Sequence, residues 1–289
     1  LYLFGGAFML EVFLDSVFDT LKALPFLFGA YLLLELLEHR ASGKLVSALR
    51  GPFGPVGGAV LGCVPQCGFS VAAANFYAGR LISPGTLLAV FLATSDEAVP
   101  ILLSHPGAMP DLLRLLGIKL LAATLFGLLT DLVCHHFLKL FQEPPFHELC
   151  EECGCEERGV FWAALHHTGK VILLLFLINL ALSYAIYFIG EEALSRFLLS
   201  GSILQPFLAA LLGFIPNCAA SVLLTELYLA GSLSFGSAMA GLCTGAGLGL
   251  IVLFQANRRL KENLTLAGAL YAAAVFTGLL CDLLFARLS

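Results

Sequence analysis

The chain has 289 residues, 59% of them hydrophobic and only 12% charged, with a mean hydropathy of +0.94. A soluble domain carries about 25% charged residues, so the composition excludes a water-soluble globule, or a globule with one anchor, and fits a polytopic membrane protein. The formal net charge of −5 argues against nucleic acid as a partner.

No signal peptide with a cleavage site is read, and the chain opens inside apolar sequence, Leu1 to Leu10, which leads us to expect that its natural start lies upstream. A spanning helix needs about 20 apolar residues. In chain order the first half offers such stretches at 17–38, 56–79, 83–104 and 111–137, and the second at 160–189, 203–230, 234–256 and 264–286. The halves repeat one another. Residues 61–71, LGCVPQCGFSV, match residues 212–222, LGFIPNCAASV, at an offset of 151. The same offset relates Tyr77 to Tyr228, Gly85 to Gly236, and Gly127-Leu-Leu-Thr-Asp131 to Gly278-Leu-Leu-Cys-Asp282. Near the two starts, Thr20-Leu21-Lys22 pairs with Thr168-Gly169-Lys170. An ordered series of matches means an internal duplication: 1–137 as a first membrane repeat, 138–159 as a linker and 160–289 as a second membrane repeat.

The charge of the loops orients the copies, because Lys and Arg in short loops favour the cytoplasm. Loop 39–55 has Arg40, Lys44 and Arg50, but its counterpart 190–202 has only Arg196. Loop 105–110 has no Lys or Arg, but its counterpart 257–263 has Arg258, Arg259 and Lys261. The bias swaps between halves, as inverted repeats require, and it places 39–55, 138–159 and 257–263 inside. Inversion needs an odd number of crossings per half. Four apolar stretches meet it either as about five short segments per half or as three crossings plus a re-entrant hairpin. The expected fold is an all-α polytopic membrane protein of two inverted repeats, about five segments each, with broken helices meeting near mid-membrane.

Candidate site residues lie where these stretches are interrupted. Pro65 removes a backbone donor and clashes with the preceding turn, and Gly68 loosens the helix further. Broken backbone at bilayer depth is tolerated only where protein buries it or a cavity uses it, and paired interruptions in two halves point to a transporter's binding site. Pro65, Gln66, Cys67 and Ser70, with their counterparts Pro216, Asn217, Cys218 and Ser221, are therefore substrate-binding candidates; the plainer alternative is a proline kink with small residues for close helix packing. Thr94, Ser95, Asp96 and Glu97 interrupt the next stretch. Charges at bilayer depth are costly and mark function, and adjacent carboxylates share a proton or a cation, unless they reach a solvated loop mouth. Their counterpart is Cys243-Thr244-Gly245-Ala246-Gly247, where Thr244 and free backbone are the ligands on offer. Glu226 is a further acid, either intramembrane or interfacial. Asp131 and Asp282 lie near helix ends and suit a capping or an interfacial role, Lys22 and Lys170 reach for the interface, and Lys119 lies deeper, where it could pair with an acid.

The linker is different in kind. His147, Cys150, Cys153 and Cys155 sit among five carboxylates within eleven residues. This set could hold a thiophilic cation such as zinc; otherwise it is an acidic solvated loop. No other cofactor is expected.

With the paired Pro-x-Cys segments, Thr94-Ser95-Asp96-Glu97-Ala98, Leu36-Leu37-Glu38-His39-Arg40 and the Cys-rich linker, nearly the whole chain resembles the ten-helix heavy-metal exporter family. Its members are described as arsenic efflux proteins or manganese transporters, related to organoarsenical permeases. The resemblance implies multi-pass placement in a bacterial inner membrane and efflux of a metal or metalloid ion, with the lipid bilayer and the ion as partners. No Gly-x-x-x-x-Gly-Lys-Ser/Thr loop is present, so ATP is not hydrolysed by that route, and an ion gradient is the expected drive. Soft trivalent arsenic would favour Cys67 and Cys218, and hard manganese would favour Asp96, Glu97, Gln66 and Asn217. The expected protein is not an enzyme; the competing class is an integral membrane thiol-redox enzyme, disfavoured because acids beside Cys150 and Cys153 blunt thiol reactivity.

Overall fold

The computed structural model describes residues 51–136 and 202–285, apart from 52, 65–66, 96, 106 and 203, together with isolated helical residues within 13–32 and 161–184. Pro65, Gln66, Asp96, Lys22, Lys170 and the linker with His147, Cys150, Cys153 and Cys155 lie outside the described residues, as does the side chain of Cys67.

The described elements are helical, and no strand occurs among the described residues. Among the described residues the continuous helices are, in order, α1 Gly54–Gly62, α2 Cys67–Ala78, α3 Pro84–Ala93, α4 Ala98–Ser104, α5 Met109–His136, α6 Gln205–Gly213, α7 Cys218–Leu229, α8 Phe235–Thr244, α9 Leu248–Ala256 and α10 Leu260–Phe285. Among the described residues, the first three continuous helices of each half start 151 positions apart, at 54 and 205, 67 and 218, and 84 and 235.

Local chemistry fixes these bounds. Pro55 and Pro206 sit in the first turn of α1 and α6, where their missing N–H costs nothing. Both helices stop just before a proline, whose ring disfavours helical backbone in the residue ahead of it. Ser83 and Ser234 cap α3 and α8, their Oγ atoms accepting from Thr86 N at 3.1 Å and Ser237 N at 3.0 Å. The ends of α2 and α7 close alike: Leu81 N donates to Phe76 O at 2.8 Å and Ser232 N to Leu227 O at 2.9 Å. Both closures need a left-handed residue. In the second half it is Gly231, φ 73°, and in the first it is Arg80, φ 57°.

Four helical stretches are long and apolar enough to cross a bilayer: Pro84–Ser104, Met109–Cys134, Phe235–Ala256 and Leu260–Phe285. This is a membrane protein. Pro84–Ser104 and Phe235–Ala256 are each broken midway, at 94–97 and at 245–247. The stretches expected at 56–79 and 203–230 are likewise two short helices each, and the last helix begins at Leu260 rather than at 264.

Packing relies on small residues. A Cβ on Gly85 or on Gly236 would strike the carbonyl of Gly127 or of Gly278, so α3 crosses α5, and α8 crosses α10, backbone to backbone. A Cβ on Gly58 would lie 2.9 Å from Thr86 O, and one on Gly62 2.6 Å from Val90 O. The two numbers rise together along α1 and α3, so these helices run in the same direction. α2 then returns, so that α1 and α2 form a helical hairpin. α6–α7 is its counterpart, with Gly213 against the carbonyl of Gly241 and Gln205 Nε2 donating to Ser232 O at 3.0 Å. Each half's hairpin reaches into the other half: α2 packs on α9, and α7 on α4.

Candidate functional site: helix breaks around a buried lysine

The scaffold of the site is built twice. Asp131, near the end of α5, accepts from Ser83 Oγ at 2.6 Å and from Gly85 N at 2.7 Å. Asp282, near the end of α10, accepts from Ser234 Oγ at 2.9 Å and from Gly236 N at 2.8 Å. Each carboxylate meets the positive N-terminal end of a half-helix and satisfies donors that the first turn leaves over. These are the capping roles expected for the two acids.

From those caps α3 and α8 run inward and stop. At the end of α3, Thr94 Oγ1 donates back to Val90 O at 2.7 Å and Ser95 Oγ donates to Ala93 O at 3.2 Å. At the end of α8, Thr244 Oγ1 donates to Ala210 O at 2.7 Å, which ties the break to α6. Gly247 then turns the chain with φ 54° and ψ −139°, a conformation open to little besides glycine. Thr94, Ser95 and Thr244 are buried, and Glu97, at the N-cap of α4, is half-buried with no side-chain capping bond.

Lys119 joins the two ends. It projects from α5, is 0% exposed, and its Nζ donates to Thr94 O and, at 2.6 Å, to Leu242 O. One carbonyl comes from the end of α3 and the other from the last turn of α8. Cys63 and Cys243 lie within electrostatic range of the same ammonium. The equivalent position on α10 is Leu270, also 0% exposed, so the lysine has no counterpart.

The starts of α2 and α7 lie against the breaks. Ser70, 0% exposed in the first turn of α2, backs onto Gly249 at the start of α9, where an added Cβ would lie 2.7 Å from the Ser70 Cβ. Asn217, 5% exposed, caps α7 by accepting from Ala219 N at 2.7 Å. The Ser221 Oγ is 3.5 Å from where a Gly245 Cβ would stand. Pro216 and Cys218 are half-buried beside it. Ser70, Thr94, Ser95, Ser221 and Thr244 are thus brought to the breaks, with Asn217 at the tip itself. Glu226 is not; it is exposed on α7. The neighbouring pocket between α3, α9 and α10 is lined by leucines, Phe91 and Ala267, and none of these candidates borders it. Among the described residues no three His, Cys, Asp or Glu side chains gather as a metal-ligand group.

Two equivalent acids differ in their surroundings. Glu262 is 2% exposed and accepts from Arg80 at 2.9 Å, Arg259 at 3.0 Å, Tyr77 Oη at 3.3 Å and Asn257 Nδ2 at 3.4 Å. Asp111, 151 positions earlier, pairs with an exposed Arg114 at 3.3 Å, beside Tyr228. Sequence matched the two tyrosines without showing their partners; an acid 151 positions from another acid, 111 and 262, was the signal available.

Comparison with family models, with curated proteins and with solved structures returned no match.

Proposed function

We propose that this is a secondary transporter of two inverted repeats that exports a heavy-metal or metalloid ion, arsenic-type or a divalent metal such as manganese, across a bacterial inner membrane under an ion gradient. Contacts along the helices support the inversion. Asp131 meets Gly85 and Lys119 meets Thr94, so α5 runs antiparallel to α3 and continues beside α4. Turn 79–83 and loop 105–108 are then at opposite ends. Glu262 holds loop 257–259 at the end of turn 79–83, and Asp111 lies with Tyr228 at the other. Equivalent segments therefore occupy opposite ends, and α1–α2 and α6–α7 enter from opposite sides as re-entrant hairpins. Phe13 meets Phe176 at 5.9 Å and Phe28 meets Phe161 at 5.4 Å, two contacts in antiparallel order between the halves.

The observation that carries the reading is the meeting of two broken spans, one from each half, at a buried lysine. Interrupted helices leave carbonyls and amides that cost several kcal/mol each in lipid if unpaired. Bringing the breaks together buries them and leaves polar backbone at the depth where inverted-repeat transporters hold substrate. Inside-out vesicles offered arsenite, manganese, zinc and cadmium should accumulate one of them when a proton gradient is applied and not when it is collapsed. Absence of gradient-dependent uptake for the whole panel contradicts the function. Loss of uptake in Cys67→Ser with Cys218→Ser would mark a soft substrate, and loss in Asp96→Asn with Glu97→Gln a hard one.

A further inference from the structure

The lysine can be argued further. Backbone carbonyls at the end of a helix carry partial negative charge, equivalent to about half an elementary charge for the whole terminus. Two such ends face each other here, α3 through Thr94 O and α8 through Leu242 O, and both are sealed from solvent. In broken-helix transporters this arrangement is a cation site. Here the ammonium of Lys119 stands between the carbonyls, on a side chain that is 0% exposed. The first half contributes the lysine, and the second has Leu270 at the equivalent place.

We infer that Lys119 is a tethered cation, permanently occupying a monovalent-cation site formed by the facing C-terminal ends of α3 and α8, so that no diffusible sodium or potassium ion binds at this point. The inference rests on the transporter reading only for the meaning of the site; its test reads stability and does not depend on which ion is carried.

Removing the side chain beyond Cβ leaves two facing carbonyl ends and a channel where the lysine stem ran. Lys119→Ala, purified in detergent as the full chain, should melt several degrees below the parent, because a buried charge partner is lost. Methylammonium chloride, or sodium chloride, should restore part of that loss saturably, while N-methylglucamine chloride at equal ionic strength should not. Lys119→Met fills the channel without charge, so it should be destabilised and unresponsive, and the parent should be unresponsive because its site is full. If Lys119→Ala cannot be purified, growth with methylammonium should recover folded protein. The inference is overturned if Lys119→Ala melts with the parent, if its loss responds to none of the small cations, if the parent responds as strongly, or if growth with methylammonium recovers nothing.

Discussion

The two halves share a scaffold and differ in what stands at its centre. Ser83, Gly85, Gly127 and Asp131 repeat as Ser234, Gly236, Gly278 and Asp282, with hydrogen bonds that agree to within a few tenths of an ångström. Asp96, Glu97 and Lys119 have no such echo; their equivalents are Gly247, Leu248 and Leu270. The equivalent acids differ as well, Glu262 in a buried cluster and Asp111 in an exposed pair. A duplicated scaffold is retained where geometry alone matters. Charge is placed once, because a second buried lysine facing the first would add repulsion without a second pair of helix ends to receive it.

The comparison breaks most severely at the glycine crossings. Gly85→Ala and Gly236→Ala should each lower the yield of folded protein sharply and by similar amounts, since either methyl meets a backbone carbonyl and cannot be accommodated by a rotamer change. Overpacking of this kind costs about 1–3 kcal/mol or more. Gly117→Ala and Gly268→Ala, with nothing within 4 Å of the added Cβ, should be harmless, as a size-exclusion profile would record.

The next effect should be unequal between halves. Glu262→Ala removes the acceptor of two guanidinium groups, one of them 13% exposed, and should cost about 3–5 kcal/mol, the scale for breaking a buried pair. Asp111→Ala, at the equivalent place, breaks a pair whose arginine is 55% exposed and should cost less than about 1 kcal/mol. Comparable losses of melting temperature would mean that the two acids are alike.

Smaller and equal again should be Asp131→Ala and Asp282→Ala, about 1–2 kcal/mol each, for a lost cap that strands a hydroxyl and an amide. Arg80→Gly should cost less than Glu262→Ala, because Arg259 still pairs with the acid. It gives up the bond to Glu262 but relieves a left-handed arginine by about 1 kcal/mol, as the native Gly231 already does. The double variant with Glu262→Gln in a thermal melt separates the two contributions.

Much of this was legible in the sequence, for a physical reason. Proline and glycine act locally, so Pro65, Pro216, Gly245 and Gly247 mark where helices must stop, and the 151-residue offset carries each mark to its partner. Whether 54–78 crosses or returns was left open, because apolar length does not tell a crossing from a return; the hairpin proposed above rests on the contacts of Gly58 and Gly62 with α3. The partners of Lys119 were not legible. They are main-chain carbonyls, and every residue has one, so no residue type announces them. The Glu262 cluster was hidden in the same way, since Arg80 and Glu262 are 182 positions apart and meet only after α2 has packed on α9. The Cys-rich linker, 138–159, lies outside the described residues and its metal-binding expectation stands as a proposal.

The most direct test of inversion uses one pair of equivalent positions. Gly107 and Arg258 are 151 residues apart and both are exposed. Gly107→Cys and Arg258→Cys, each placed in a chain whose nine native cysteines are replaced, are treated in intact cells with a membrane-impermeant maleimide. Inverted repeats predict labelling at 107 from outside and labelling at 258 only after the cells are opened. Labelling of both positions from the same side would contradict the inverted repeat and the transport site built on it.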